Sequence, residues 1–160
     1  MPEFTVRPAS LEDVKAIHGL LMELAVYEKI DHLVEATTDS THKALFGSSP
    51  VADALVVELS GALIATAVYF QNYSTFMGRP GLYLEDIYVQ PTHRGTGIGR
   101  ALLIELAKIA SSRGCGRMEW TVLDWNTRAI DFYQRLGAQI LPDWHLVRLS
   151  RAGIKQLAGQ

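Results

Sequence analysis

The sequence is poor in sulfur, in long apolar runs and in net charge. One cysteine, Cys115, stands among 160 residues, which excludes a disulfide framework within the chain and fits a reducing compartment. The longest nearly apolar stretch, Ala62 to Phe70, is interrupted by Thr66 and falls far short of the roughly 20 residues of a membrane span. The opening Met1-Pro-Glu-Phe4 lacks the basic and then apolar pattern of a secretory signal, so a cytoplasmic protein with no membrane partner is expected. A net charge of −2 argues against binding nucleic acid through an overall positive field. The histidines at 18, 32, 42, 93 and 145 form no H-E-x-x-H spacing, and no metal is expected. There is no Gly-Lys-Ser/Thr of a Walker loop and no G-x-S-x-G elbow.

What is present describes one ordinary globule. A length of 160 with 48% apolar and 20% charged residues suits a single domain over residues 1–160. At this size folding buries roughly 70% of the chain's surface, so the core needs no staple. Residues 1–80 carry five Lys/Arg against ten Asp/Glu, and residues 81–160 carry ten against seven. That split suits a cationic ligand on one half and an anionic ligand on the other. Uneven sampling of solvated surface accounts for the same counts equally well.

Helices and strands alternate. Phe4, Val6 and Pro8 suggest a short strand, and Ser10-Leu-Glu-Asp13 reads as a capping box opening a helix to about Glu28. Thr38 to Phe46 reads as a second helix, stopped by Gly47 and Pro50. Ala54 to Glu58 and Leu63 to Gln71 flank Ser60-Gly61 as a hairpin. Asn72 to Gly81 is a loop by composition, and Leu82 to Val89 a strand. Ile98 to Ser112 has the clearest helical spacing. Arg117 to Leu123 is expected as a strand, Asn126 to Leu136 as a helix ended by Gly137, and Ala138 to Leu141 with Leu146 to Leu149 as closing strands. This order is α/β, a mixed central sheet flanked by helices, parallel in its carboxyl-terminal β-α-β-α-β run.

Between a strand and a helix lies Arg94-Gly95-Thr96-Gly97-Ile98-Gly99-Arg100. Its glycines let backbone amides approach a ligand, and a helix start leaves those amides unpaired at the positive end of the macrodipole. The expected guest is a phosphate or pyrophosphate. The dinucleotide fingerprint G-x-G-x-x-G fails, since its last place falls on Arg100 or Leu102. Two carboxylates, Glu85 and Asp86, interrupt the preceding apolar strand. Strict alternation sends Tyr83, Glu85, Ile87 and Val89 to one face and Leu82, Leu84, Asp86 and Tyr88 to the other. Partial burial among apolar neighbours raises a carboxyl pKa and suits a proton acceptor near neutral pH. An acid at a strand end facing water is the open alternative.

The spacing R-x-x-G-x-G of Arg94 to Gly99, the segment Tyr83-Leu-Glu-Asp-Ile-Tyr-Val89 and the motif W-N-x-x-A-x-x-F-Y-x-x-x-G-A of Trp125 to Ala138 together resemble the GCN5-related N-acetyltransferases, in particular the diamine acetyltransferase branch. The resemblance implies acetyl-CoA as cofactor, transfer of its acetyl group to a small cationic amine by direct attack in a ternary complex, and a homodimer. It implies pyrophosphate contacts from backbone amides at Arg94, Gly95, Gly97 and Gly99 within the loop that also holds Thr96, Ile98 and Arg100, pantetheine contacts along Ile87, Tyr88 and Val89, and a coenzyme A contact from Asn126. It also implies that a main-chain amide near Ile87 polarises the acetyl carbonyl and that Tyr133 protonates the leaving sulfur, with Glu85 the candidate base, through water. Tyr27, Glu28, Glu85, Asp86 and Trp144 match the acceptor pocket. In the loop before the strand, Ser74-Thr75-Phe76 stands where polyamine-acetylating members carry an acid and a tryptophan. That departure favours a thialysine-like acceptor over a polyamine. A non-catalytic module that only binds coenzyme A is the alternative of another class.

Overall fold

The computed structural model describes residues 3–160, which cluster into two compact units, one ending at Thr121 and one spanning Val122–Gln160. The first unit is built on a five-stranded sheet in the order β1 (Thr5–Pro8), β2 (Asp53–Leu59), β3 (Ala62–Ser74), β4 (Arg79–Val89) and β5 (Arg117–Glu119). The first four pair antiparallel and β5 joins β4 in parallel. The sheet is therefore mixed, as expected. Helices α1 (Val14–Tyr27) and α2 (Thr38–Phe46) lie between β1 and β2 in sequence, and α3 (Ile98–Ser112) makes the crossover from β4 to β5.

Local chemistry sets these boundaries. Ahead of α1, the Ser10 amide donates to Asp13 Oδ2 at 2.7 Å, the reach-back half of a capping box. The Arg7 guanidinium then spans Asp13, at 2.6 Å, and Glu58, at 2.9 Å, tying β1, the start of α1 and β2 together. Thr37 caps α2 by accepting from the Ser40 amide. Ser60 and Gly61 both adopt positive φ, 51° and 81°, the two-residue turn that matches strand twist. On one sheet face, Ala54 and Val56 pack with Ile17 and Leu45 from the helices. On the other, Arg113 at the end of α3 pairs with Asp53 and stacks over Tyr69.

The expected loop at Asn72 to Gly81 is largely strand. β3 runs on to Ser74 and β4 begins at Arg79, with Asn72 opposite Gly81. The composition misleads because Gly81 is there to make room: a Cβ on it would collide with the Asn72 side chain. β5 stops at Glu119 instead of Leu123.

In the second unit, α4 (Thr127–Arg135) is capped by Asn126 and closed by Gly137 at φ 91°. The expected closing strands at Ala138 to Leu141 and Leu146 to Leu149 are absent: no strand follows β5 among the described residues. Ile140, Leu141, Leu146, Val147 and Leu149 are exposed. Alternation in a sequence shows which face a strand would bury, whereas a strand exists only where a second edge pairs with it. A terminal helix unforeseen in the sequence, α5 (Arg151–Ala158), closes the chain, with Ser150 accepting from the Gly153 amide.

Candidate active site

The loop between β4 and α3 holds the backbone the sequence predicts. Gly95 and Gly97 take φ of 82° and 90°, conformations that a residue with a Cβ adopts only under strain. Gly97 is the N-cap of α3, and no acidic residue lies in that helix's first turn. The first intrahelical bond runs from Ala101 N to Gly97 O, so the amides of Ile98, Gly99 and Arg100 have no carbonyl within the helix to donate to. Gly95, Thr96, Gly97 and Arg100 are exposed. The Thr96 hydroxyl donates to His93 O at 2.7 Å and stiffens the turn. At Arg94 the outcome differs from the expectation: its amide closes a turn onto Pro91 O at 3.3 Å, and its side chain is turned to other partners, described below.

Strand β4 has a second free feature. β5 accompanies it only over Gly81, Leu82 and Tyr83. From Leu84 to Val89, β4 is paired with β3 alone among the described residues, so its other edge offers backbone donors and acceptors to an extended guest, apart from the Val89 carbonyl, which accepts from Arg94 Nε. Ile87, Tyr88 and Val89 lie on that edge.

The two acids do not sit as strict alternation requires. Tyr69 faces Leu84 and Val68 faces Asp86, which leaves Glu85 as an extra residue in a β-bulge. The bulge shifts the parity of the strand. Leu82 and Leu84 share a face with Ile87 and Val89, and Asp86 and Tyr88 share the other with Tyr83, facing Val68 and Thr66. That corrects the expected faces. Glu85 is exposed, contrary to the partial burial expected for it, whereas Asp86 is half-buried. Burial first, then the charges of Glu85 and Glu28, push the Asp86 carboxyl up to about 6. Burial likewise raises the pKa of Glu28, which C-caps α1. No basic side chain pairs with any of these three acids among the described residues.

Facing this corner is a cluster the sequence did not reveal. The Arg94 guanidinium lies over the Tyr27 ring at 4.7 Å and the Tyr88 ring at 5.5 Å, and its Nε donates to Val89 O at 2.9 Å. Gln90 donates to Glu23 at 3.1 Å, and burial first, then Glu23, raises the pKa of the Tyr88 hydroxyl. Glu23 and Tyr27 are one helical turn apart on α1, the only sequence signal that they share a face.

The hairpin tip stands elsewhere. Ser74 is six residues along β3 from Val68, the partner of Asp86, hence about 20 Å away along the strand. Its hydroxyl accepts from the Met77 amide at 3.2 Å, so it is engaged in the turn. Thr75 is exposed and Phe76 is fully exposed. The structure does not bring these three residues to Glu28 and Asp86 within one chain. In the second unit, Tyr133 is buried on α4 with its ring against Phe132, Asn126 Oδ1 faces the Ala129 amide at 3.4 Å, and Trp144 is exposed.

Residues 16–138 match the acetyltransferase (GNAT) family. The chain belongs to this family. It is 37% identical to the thialysine N-epsilon-acetyltransferase of Bos taurus, over 97% of each chain. It is 30% identical to the L-ornithine N5-acetyltransferase NATA1 of Arabidopsis thaliana, over 91% of this chain and 83% of that one. Among solved structures it matches an integron cassette protein from the mobile metagenome of V. cholerae with a TM-score of 0.82 at 23% identity, over 98% of both chains. As a GNAT member it is an acetyl-CoA-dependent N-acetyltransferase. Its residues fit that thioester substrate: the acid-free start of α3 suits the pyrophosphate, and the free β4 edge suits an extended amide-bearing arm.

Proposed function

We propose that the chain transfers the acetyl group of acetyl-CoA to a primary amine of a small lysine-like amino acid of the thialysine type. The observation that carries this reading is the unneutralised acidic corner of Glu28, Glu85 and Asp86. Burial first, then the charges of Glu85 and Glu28, raise the proton affinity of Asp86, so a cation placed among them relieves an existing repulsion. Tyr27, at the end of α1, adds an aromatic wall, one face of which already carries the Arg94 guanidinium. Relatives named for thialysine and for L-ornithine support a diamino acid.

Acetyl-CoA supplies an acetyl carbon activated as a thioester. Backbone amides of the Gly95 to Gly99 loop bind its pyrophosphate, the β4 edge at Ile87 to Val89 aligns its pantetheine arm, and Asn126 adds a contact. An ammonium near pKa 10.4 must lose a proton before it can attack. Glu85, exposed to water on the bulge, takes that proton through a water molecule, and Asp86 with Glu28 holds the acceptor. As the C–N bond forms and the C–S bond breaks, Tyr133 gives its phenolic proton to the sulfur, the second proton shed by the attacking nitrogen restores the phenol, and an amide near Ile87 stabilises the charge on the carbonyl oxygen. The resemblance also supports a homodimer, and the length, charge and hydropathy of the sequence support one domain over 1–160 working in the cytoplasm, with no nucleic acid or membrane as partner.

Thiol release from acetyl-CoA with thialysine, lysine, ornithine, putrescine, spermidine and aminoglycosides tests the substrate. Thialysine and its amino-acid analogues are expected to lead. A preference for spermidine moves the assignment to polyamines, and turnover confined to aminoglycosides removes it. Tyr133→Phe is expected to lower kcat by about 100-fold with coenzyme A affinity unchanged, and an equal kcat removes the acid role.

A further inference from the structure

We propose that the Arg94 side chain is a positioning residue that couples the pyrophosphate loop to the acceptor wall, so that each ligand tightens the binding of the other. An arginine at the head of a phosphate loop is the obvious counter-charge for the phosphate itself. Here its guanidinium is held elsewhere. Nε is fixed on the carbonyl of Val89, the last residue of β4, at 2.9 Å, and the cation lies over Tyr27 and Tyr88 at 4.7 and 5.5 Å. One anchored nitrogen and two rings fix the plane of a group that is rigid by delocalisation.

The partners give this placement its consequence. Tyr27 is the last residue of α1, and the next residue, Glu28, caps that helix through its amide on Leu24 O at 2.9 Å. Glu28 is also one of the charges that act on Asp86. A second tie runs parallel to the first, since Gln90 reaches back to Glu23 on the same helix at 3.1 Å. The loop that binds phosphate, Gly95 to Gly99, follows directly on Arg94, whose side chain lies on Tyr27 at the end of α1, and the next residue, Glu28, is the acceptor carboxylate. Binding at the loop fixes the Arg94 backbone and with it Tyr27 and Glu28. By linkage the acceptor returns the same factor to coenzyme binding. The acceptor half of this coupling rests on the proposed lysine-like substrate; the coenzyme half does not.

Two measurements on the full chain separate these halves: calorimetric titration of coenzyme A with and without saturating thialysine, and amide hydrogen exchange over residues 23–28 with coenzyme A alone. For the wild type, thialysine is expected to tighten coenzyme A by about fivefold, a typical coupling, and coenzyme A is expected to slow exchange over 23–28. Arg94→Met keeps the stem and the loop amides. Its coenzyme A affinity is expected to stay within about threefold of wild type, while the coupling factor falls to about one and the slowing disappears. Arg94→Lys, which returns a cation to the rings, is expected to recover part of both effects. A loss of coenzyme A affinity of tenfold or more in Arg94→Met with the coupling intact makes the guanidinium a phosphate ligand and overturns the proposal. Unchanged exchange over 23–28 when coenzyme A binds the wild type also overturns it. If thialysine gives no heat while the slowing persists and needs Arg94, the coupling stands and the acceptor assignment fails.

Discussion

At the scale of single residues, the site is a contest between burial and charge. Asp86 cannot keep its ordinary acidity, because burial and two neighbouring carboxylates oppose its ionisation. A bound ammonium reverses the sign of its surroundings and restores the carboxylate, so acceptor binding releases a proton near pH 6. Glu28→Gln removes one of the charges that hold the acceptor and is expected to raise the acceptor KM by about tenfold, with coenzyme A affinity unchanged. The steady-state KM of thialysine, measured at saturating acetyl-CoA, checks it, and an unchanged KM takes Glu28 out of the pocket. Glu85, exposed on the bulge, is open to the water through which a base would act.

At the scale of elements, sequence legibility followed locality. The helices α2 and α3 sit at the residues the sequence predicts, because caps and a 3.6-residue period are written within each segment. The strand β4 was harder. Its apolar residues, Leu82 and Leu84 buried and Ile87 and Val89 half-buried, change parity between 84 and 87, and that break was the trace of the bulge at Glu85. The glycine loop was legible because the φ of 82° and 90° at Gly95 and Gly97 strongly favours glycine. The cluster of Arg94, Tyr27 and Tyr88 was not legible, since those positions meet only after β4 and α1 pack. The same reasoning predicts opposite effects for two glycines. Gly97→Ala has open space around its Cβ but a φ of 90°, so it is expected to destabilise by about 1–2 kcal/mol from backbone strain and to weaken coenzyme A binding. Gly19→Ala lies within α1, also with open space, and is expected to stabilise by roughly 0.5–1 kcal/mol. Denaturant melts of both variants give the two signs directly.

At the scale of the whole molecule, Asp13 and Asp86 make stability depend on pH in opposite directions. Asp13 is held down to about 2 by Arg7 above all, with the Ser10 bonds assisting against burial. Its folded pKa lies below the unfolded value of 3.8, so its contribution is complete above 3.8 and is lost as pH falls through about 2. Asp86 is raised from 3.8 to about 6. The folded state holds its proton more tightly, so stability from this group is complete below 3.8 and is lost as pH rises through 6. Asp86→Asn removes that loss and is expected to stabilise the chain by on the order of 2 kcal/mol at pH 7.5, with little change at pH 3.5. Asp13→Asn is expected to destabilise at pH 7.5, where an uncompensated Arg7 keeps only Glu58, and to approach wild type near pH 2. Urea unfolding of the three proteins across that range tests both. If Asp86→Asn instead destabilises at pH 7.5, the carboxylate is satisfied in the free protein, and the acidic corner has no unmet charge to offer an amine.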